Sequence, residues 1–478
     1  MSGKKFIKKF VLAAVAAIAL SVSAIAQPIE LTLDKAIDMA LENNRDTKVA
    51  QMEVTKARAA VDEAFGFALP TVDLTGSFMH YIKKPVVFFP DFEAMLGNAT
   101  YSILFEEGVL PRDPSKFRPV NYTEQSFVLA NSYEATAQVS QVLFNSAVFR
   151  GIGASQIYAE LSNEQLKSNI VKTISNVRNA FYGVLLTKQL YEITKASYEN
   201  AQDNLKNVRA LNEQGLVSEF DALQAEVQVE NIRPALEQME NTHKTAKDGL
   251  KILLGINQDS EIDLVGKLEY EELEAPSLEA AVNRAMEYNY EIRSLDKKAQ
   301  VDEAFIDLDR AEWWPSMAAF GSYSFAGQSD DLNFNNYNQA VVGLNFSINL
   351  FKGGRTSNKV QQSTIAWKQT QQQLDQLKDF ITSQVRAQLL EIARVEENLS
   401  AQQRNVKLAE RAYDIAKTRY REGTATQLEV QNADMALRQA RTNYLQSVYD
   451  YKSAHIQLDK LLGNADSKYF RKFKFNNQ

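Results

Sequence analysis

Alternating apolar and polar residues mark short segments of the chain as β-strands. Residues 342–350 carry Val, Leu, Phe, Ile and Leu on one face and Gly, Asn, Ser and Asn on the other, and residues 133–139 alternate in the same way. A period of two residues is that of an extended strand. With two less regular segments added, the pattern predicts two strand pairs: about 71–82 with 133–145, and about 316–327 with 339–351.

The strand pattern alone is compatible with two environments. Alternation of this length is typical of a membrane β-barrel, with lipid on one side and water on the other, but a soluble antiparallel sheet gives the same pattern. Aromatic residues at the strand entrances favour the membrane, because aromatic girdles mark membrane–water interfaces. Ordinary core burial is the alternative. The interface aromatics are Phe65 and Phe67, which precede Pro70, and Trp313 and Trp314, which precede Pro315.

Two proline-free segments, 147–214 and 353–422, predict very long helices. They carry apolar or small residues near the 3.5-residue spacing of coiled-coil packing. At ~1.5 Å per residue, each helix would span roughly 100 Å.

Each long helix is predicted to reverse at a glycine. Gly215 and Gly423 suit the left-handed conformation of a helix C-terminus, and Ser218 and Thr426 are candidate N-caps of the returning helices. The result is a helical hairpin with a narrow tip in each half of the chain. In the first hairpin, Pro234 is expected to interrupt the returning helix.

This order of elements occurs twice. Residues 33–44 resemble residues 278–289, and the same offset relates Pro70 to Pro315. Farther on, Leu253-Leu254-Gly255 matches Leu461-Leu462-Gly463 in a block that needs no gap. Several matches at a constant offset indicate two tandem copies of one unit. The predicted division is a signal peptide (1–26), repeat 1 (27–256), an equatorial linker (257–276), repeat 2 (277–464) and a C-terminal tail (465–478).

Each repeat is predicted to open with one helix that ends before its proline. Thr32 or Asp34 would cap the first helix and Ser277 the second. Repeat 1 is longer because of an insertion at 86–130. Five of the ten prolines lie in or beside that insertion, which predicts a long irregular loop on the outer side of the strand pair.

Composition narrows the function classes. A basic start, a ten-residue apolar run and the small-residue site Ala24-Ile25-Ala26 predict a cleaved signal peptide. Removing this peptide removes four lysines and changes the formal charge from −7 to −11. An acidic mature chain argues against nucleic-acid binding. The chain has no cysteine, which excludes disulfides and a lipid-modified cysteine anchor, and its three histidines show no metal-ligand spacing. No cofactor is expected.

The chain resembles the TolC family of outer-membrane efflux proteins. The resemblance is carried by the two hairpin tips, Val208–Ala225 and Arg419–Ala433, by the Leu-Pro and Trp-Pro helix-to-strand junctions, and by the Leu-Leu-Gly that closes each repeat. It covers the whole predicted mature chain. Each single motif is weak, but the duplicated order of the motifs is specific.

The resemblance implies an α+β membrane protein that forms a homotrimer. Each repeat would give a β-hairpin to one shared twelve-stranded outer-membrane β-barrel, and long antiparallel helices to a periplasmic α-helical barrel. Sharing also follows from the strands themselves, because four strands cannot close a barrel and lipid tolerates no open sheet edge. The chain would then be a passive outer-membrane conduit, with a large periplasmic part, for a tripartite efflux or type I secretion system.

The resemblance also implies partners. A periplasmic adaptor (a membrane fusion protein) and an inner-membrane RND or ABC pump would feed the duct. The adaptor would dock on the tips. The alternative is that the tips are only well-capped turns. The docking residues would be Gly215, Leu216, Val217 and Ser218 in repeat 1, and Gly423, Thr424, Ala425 and Thr426 in repeat 2.

A periplasmic gate is implied at the same end. Its matching positions are Asp221, Tyr420, Glu429 and Asn432. The chain departs from the family where an arginine of the latch is replaced by Ala425 and where Asn432 occupies an acidic position. Carboxylates around a narrow pore would attract cations; solvated helix charges are the alternative.

Two other classes of protein fit the chain less well. A periplasmic coiled-coil adaptor or a structural envelope protein also has long helices, but two hairpins and two strand pairs oppose that assignment. An enzyme is disfavoured because the chain contains no nucleophile motif, phosphate loop or metal cluster.

Overall fold

The computed structural model describes residues 29–473 and residue 475. The predicted signal peptide, residues 1–26, lies outside these described residues. The chain divides into two compact units, each drawn from both predicted repeats. We call them the sheet unit (61–154 and 304–361) and the helical unit (residues up to 60, 155–303 and from 362 onward).

The secondary structure is mainly helical. In chain order the strands are β1 (Ile29–Leu31), β2 (Thr71–His80), β3 (Val87–Pro90), β4 (Tyr122–Gln125), β5 (Asn131–Asn145), β6 (Ile262–Leu264), β7 (Ser316–Ser329) and β8 (Asn335–Ser347). The α-helices are α1 (Leu33–Asn43), α2 (Arg45–Gly66), α3 (Phe92–Glu106), α4 (Ser146–Glu213), α5 (Glu219–Leu254), α6 (Leu278–Tyr288), α7 (Tyr290–Arg310), α8 (Arg355–Arg421), α9 (Gln427–Leu461) and α10 (Ser467–Phe470).

The sheet unit is built on one antiparallel sheet of order β2-β5-β7-β8. Pairing of β5 with β7 joins the two predicted strand pairs into this one sheet. Three strands begin within two residues of their predicted starts, but β8 begins at Asn335 and ends at Ser347 rather than spanning 339–351. The alternation at 348–350 therefore continues beyond the strand.

The insertion at 86–130 is not an irregular loop, and that prediction was wrong. It holds helix α3, a short 3₁₀-helix at Pro114–Lys116 and an antiparallel β3–β4 pair. Asp91 caps α3 by accepting a hydrogen bond from the backbone N–H of Ala94 at 3.0 Å. Pro90 ends β3 and Pro114 begins the 3₁₀-helix, where a missing N–H costs little, and the other three lie in connecting segments. Proline density therefore did not mean irregularity.

Each predicted opening helix is in fact two helices. α1 and α2 are separated by Asn44, and α6 and α7 by Asn289. The side-chain oxygen of Asn44 accepts backbone hydrogen bonds from Asp46 and Thr47 at 2.9 and 3.2 Å, and thereby caps the second helix. Neither α2 nor α7 reaches its proline: α2 ends at Gly66, and a 3₁₀ turn at Ala311–Trp313 follows α7.

The N-terminal caps of the opening helices are Thr32 and Ser277, as predicted. The two long helices, α4 and α8, span 68 and 67 residues. α5 continues through Pro234 as one helix, so the predicted interruption there is wrong. A proline on the exposed side of a helix can be tolerated when neighbouring turns hold the helix in place.

The core of the helical unit packs α1, α4 and α5 against two short strands. β1 pairs in parallel with β6, which lies inside the segment predicted as a linker. The tail likewise contains α10, whose Tyr469 is buried against this core. Among the described residues, no helix is both long enough and apolar enough to cross a membrane. The most deeply buried core side chains include Leu31, Leu41, Ile170, Val177, Leu250, Leu254 and Ile262.

Candidate functional site

The sheet unit exposes an apolar face. The register places Val72, Val139, Gly321 and Val342 in one row across the four strands. Val342 is 87% exposed. The same face carries further exposed apolar side chains: Leu74, Phe78, Tyr323, Phe325, Leu344 and Phe346.

The opposite face of the same sheet is mainly polar, with Met79, Phe320, Tyr337 and Val341 as its larger apolar or aromatic members. Alternation along each strand puts its neighbours there, so Thr75 lies opposite Thr136, and Thr136 shares a hydrogen bond of 2.8 Å with Ser324. Other members of this face are Asp73, Ser77, Glu134, Gln138, Ser322, Gln339 and Asn345. The sheet therefore presents apolar groups outward on one side and hydrogen-bonding groups on the other, the reverse of a soluble sheet that buries its apolar face.

The four interface aromatics lie where the sheet begins, and all four are exposed. They are Phe65, Phe67, Trp313 and Trp314. Beside the two tryptophans, Glu312 accepts hydrogen bonds from Lys359 at 2.9 Å and Lys352 at 3.2 Å. These two ammonium groups hold the pKa of the Glu312 carboxyl at about 2. An ionised Glu312 thus joins the start of β7 to the start of α8.

In the helical unit, the tip of the first hairpin is a tight, fully capped turn. Gly215 has a φ of +72°. The N–H of Gly215 donates to the Asn212 carbonyl oxygen at 2.8 Å, and that of Leu216 to the Leu211 carbonyl oxygen at 2.9 Å. Ser218 and Asp221 then form a reciprocal capping box: the Asp221 N–H donates to Ser218 Oγ, and the Ser218 N–H donates to Asp221 Oδ2.

The second tip repeats this geometry. Gly423 also has a φ of +72°, and the N–H of Thr424 donates to the Arg419 carbonyl oxygen at 2.8 Å. Thr426 caps α9 by accepting from the Glu429 N–H at 3.3 Å. The Arg419 guanidinium contacts Glu429 at 3.7 Å, which closes the base of the turn. The predicted N-caps Ser218 and Thr426 are both confirmed.

Two of the four predicted gate residues interact electrostatically. Burial, and secondly the negative charge of Asp221, raise the pKa of the Tyr420 phenol. Glu429 lies instead with Arg419 and Thr426, and Asn432 is exposed. Asp221 and Glu429 occupy the same position, three residues after an N-cap, so both carboxylates also stabilise a helix start.

Two features of the tips escaped sequence reasoning. Phe220 and Leu428, each two residues after an N-cap, are both exposed apolar side chains. In addition, Gln427 and Gln431 each bury an amide atom that has no hydrogen-bond partner among the described residues. Such groups are costly in the interior of a protein. Gln427 directly follows the candidate cap Thr426, and Gln431 lies about one turn farther along the helix.

Comparison with known proteins places these features in a family. The profile of the outer membrane efflux protein family (OEP) matches residues 88–256 and 281–464. The alkaline protease secretion protein AprF of Pseudomonas aeruginosa is 24% identical over 350 residues, which are 70% of each chain. The outer membrane protein TolC of Vibrio cholerae is 22% identical over 72% of this chain and 80% of its own.

Solved structures share the fold. The CmeC outer membrane channel of Campylobacter jejuni superposes with a TM-score of 0.70 at 18% identity, covering 92% of this chain and 88% of its own. The channel protein CusC superposes with a TM-score of 0.68 at 19% identity, covering 91% and 92%. At this identity the likeness concerns the fold.

Proposed function

Because this chain belongs to the outer membrane efflux protein family, whose members are export channels of the outer membrane, we propose that three copies of it form one continuous duct. The chain is an outer-membrane duct subunit. Beyond that, the proposal concerns how the subunits close the membrane pore, what they dock to and where the duct is gated.

The exposed apolar face of the sheet carries the proposal. A row such as Val72, Val139 and Val342, open on the outside of the sheet, is favourable in lipid and unfavourable in water. The polar face would then line a water-filled lumen. The exposed aromatics Phe65, Phe67, Trp313 and Trp314 would sit at the headgroup level, at the periplasmic end of the strands.

The edges of the sheet call for further subunits. Within the described residues, β2 pairs only with β5 and β8 only with β7, so each has one open edge. An open edge is not tolerated in lipid, since its N–H and C=O groups find no partner there. Pairing β2 of one subunit with β8 of the next closes the ring. Three subunits with four strands each would give the family's twelve-stranded barrel.

The helical hairpins would form the periplasmic tunnel. Tips at Gly215–Ser218 and Gly423–Thr426 would dock a periplasmic adaptor, which connects the duct to an inner-membrane RND or ABC pump. The exposed side chains of Phe220 and Leu428 support a docked partner there. We further propose that the chain reaches the outer membrane by a cleaved signal peptide, residues 1–26, and acts without a cofactor or enzymatic activity.

The gate would lie at the tips. Tyr420 and Asp221 belong to different hairpins of one subunit, and the Asp221 charge acts on the Tyr420 phenol; losing that interaction would favour separation of the hairpins. Glu429, held by Arg419, would place three carboxylates near the pore axis. Asn432 would be a neutral member of the same ring.

The two repeats would derive from duplication. An equivalent hydrogen bond in each repeat supports this. In residues 27–256, Asn44 donates to the Leu253 carbonyl oxygen, and in residues 277–464, Asn289 donates to the Leu461 carbonyl oxygen, each at 2.9 Å.

Membrane fractionation and native mass spectrometry test the assembly. The expected result is an outer-membrane trimer that runs at high mass in unheated gels and as a monomer after boiling. A monomer in the soluble periplasmic fraction would instead favour a coiled-coil adaptor and would overturn the proposal.

A further inference from the structure

Helix α3 of the insertion has apolar residues on two opposite faces. Its inner face includes Ala94, which is buried, and Leu104, which is partly buried. Its outer face carries an exposed stripe at helical spacing, in which Leu96 is 69% exposed. We call this the α3 stripe, and it consists of Phe92, Met95, Leu96, Ala99 and Ile103. A helix that is apolar all round is normally covered in the assembled protein.

The insertion holds this stripe in a fixed position. The side chain of Asn98 and the backbone of Arg118 exchange two hydrogen bonds, of 2.7 and 2.8 Å. Arg118 also pairs with Glu93 at 3.1 Å. Stacking of Phe89 on Phe92, with ring centroids 5.1 Å apart, joins β3 to the first turn of α3.

The root of the insertion is tied to the turn between β7 and β8. Lys84 forms an ion pair with Asp330, and the N–H of Ala130 donates to the same carboxylate at 2.8 Å. Both ends of the insertion therefore meet at Asp330. Next to them, His80 Nδ1 lies 2.7 Å from the Asn131 side-chain oxygen. The stripe is thus presented from an anchored base.

The charges of α3 argue against a lipid surface as the cover. Helices that lie on membranes carry Lys and Arg on their polar face, which anionic headgroups attract. α3 has no Lys or Arg, and its charged residues are Glu93 and Glu106. Glu93 is paired with Arg118, and Glu106 adds a negative charge, so α3 itself offers no attraction to an anionic leaflet. A protein surface is the better fit for this apolar, mildly acidic helix.

The position of the insertion next to the open sheet edge indicates which protein covers the α3 stripe. The insertion begins shortly after His80, the last residue of β2. Within the described residues, β2 has an open edge. In the proposed function, that edge is where the neighbouring copy pairs. The insertion therefore stands at the boundary between two subunits.

We propose that the α3 stripe packs on a second copy of this chain, as an outer clasp between neighbouring subunits beyond the ends of the strands. This inference rests on the proposed trimer. A contact of this kind, in which each subunit uses one surface to hold a different surface of the next, closes into a ring. It adds an apolar contact between subunits to the strand pairing.

Photo-cross-linking tests the clasp. Because the chain has no cysteine, a cysteine introduced at the same position can be cross-linked through its thiol as a second readout. A photoreactive phenylalanine analogue replaces Leu96 or, as a control on the same insertion, exposed Lys116. On outer-membrane vesicles, position 96 is expected to give an adduct of twice the subunit mass that maps to a second copy, and position 116 is not.

A second variant keeps the test independent of the cross-linker. Leu96→Asp with Ile103→Asp should lower the temperature at which the trimer dissociates, whereas Lys116→Asp should leave it unchanged. A trimer whose position 96 captures only lipid, another protein or nothing would overturn the clasp and leave the proposed duct standing. Absence of any trimer in the unaltered protein would overturn both.

Discussion

The side-chain amide of Asn289 donates a hydrogen bond to the carbonyl oxygen of Leu461 at 2.9 Å. This bond joins the break between α6 and α7 to the end of α9. Asn289 is 3% exposed, and its side-chain oxygen also accepts from the N–H groups of Glu291 and Ile292. One amide thus ends one helix, starts the next and holds the second hairpin in place.

Replacing Asn289 should therefore destabilise the subunit. Asn289→Ala leaves the Leu461 carbonyl and two N–H groups without their partner in a buried setting, at a cost of about 1–3 kcal/mol. Circular dichroism of the detergent-solubilised protein would record the lower unfolding midpoint. Asn283→Ala, at an exposed position of α6, is the matched control. Equal midpoints for the two variants would refute this role.

Replacing a tip glycine with alanine should change stability in the opposite direction from replacing a glycine inside a helix. Gly215 and Gly423 both have a φ of +72°, where a Cβ costs roughly 1–2 kcal/mol, so Gly→Ala at either site should lower stability. Gly249 lies inside α5, where an added Cβ would meet no neighbouring atom within 4 Å. Gly249→Ala should therefore raise stability by about 0.5–1 kcal/mol. Denaturant titrations would show whether the signs differ as expected.

Stability should fall at alkaline pH through Tyr469. Its hydroxyl donates to Asp34 at 2.8 Å, and burial followed by this bond raises the pKa of the phenol to about 12. A folded-state pKa above the unfolded value of about 10 gives a contribution that is complete below pH ~10 and disappears as pH rises through ~12.

Unfolding midpoints between pH 7 and 12 would isolate this effect. Tyr469→Phe should start lower at pH 8 and lose less between pH 10 and 12 than the unaltered protein. Tyr122→Phe, at an exposed position, should follow the unaltered protein throughout. Parallel curves for the unaltered protein and Tyr469→Phe would show that the phenol does not contribute.

Ion selectivity should depend on Glu429. If three copies of this carboxylate lie near the pore axis, they favour cations, and Glu429→Gln should reduce that preference while keeping the side-chain shape. Reversal potentials across a KCl gradient measure it. Glu422→Gln, at an exposed position on the same tip, is the charge-matched control and should leave the potential unchanged. An unaltered potential in Glu429→Gln would remove Glu429 from the gate.

Sequence reasoning located most elements because their signals are local. Alternation at 342–350 and the glycines at 215 and 423 reflect backbone periods and a left-handed turn, and the structure has a strand and two tips there. Family membership followed from the order of such signals. The pairing of β5 with β7 was less accessible, because it joins segments separated by a long hairpin.

The errors have a physical pattern as well. Asn44 and Asn289 cap the helices that follow them through local hydrogen bonds, a signal that the sequence offered and that was missed. Their bonds to Leu253 and Leu461, far away in sequence, have no local signal. The order within the insertion depends on tertiary contacts such as Asn98 with Arg118. At the first tip, the capping box that Asp221 forms with Ser218 was hidden behind the interpretation of Asp221 as a gate charge.

Single-channel conductance in planar bilayers is the decisive measurement for an export duct. The purified protein should insert and give discrete openings. The variant Tyr420→Phe with Asp221→Ala, which removes the electrostatic interaction between the phenol of one hairpin and the carboxylate of the other, should give larger and longer openings than the unaltered protein. If neither protein gave channels, under conditions in which both are folded trimers, the chain would not be an export duct.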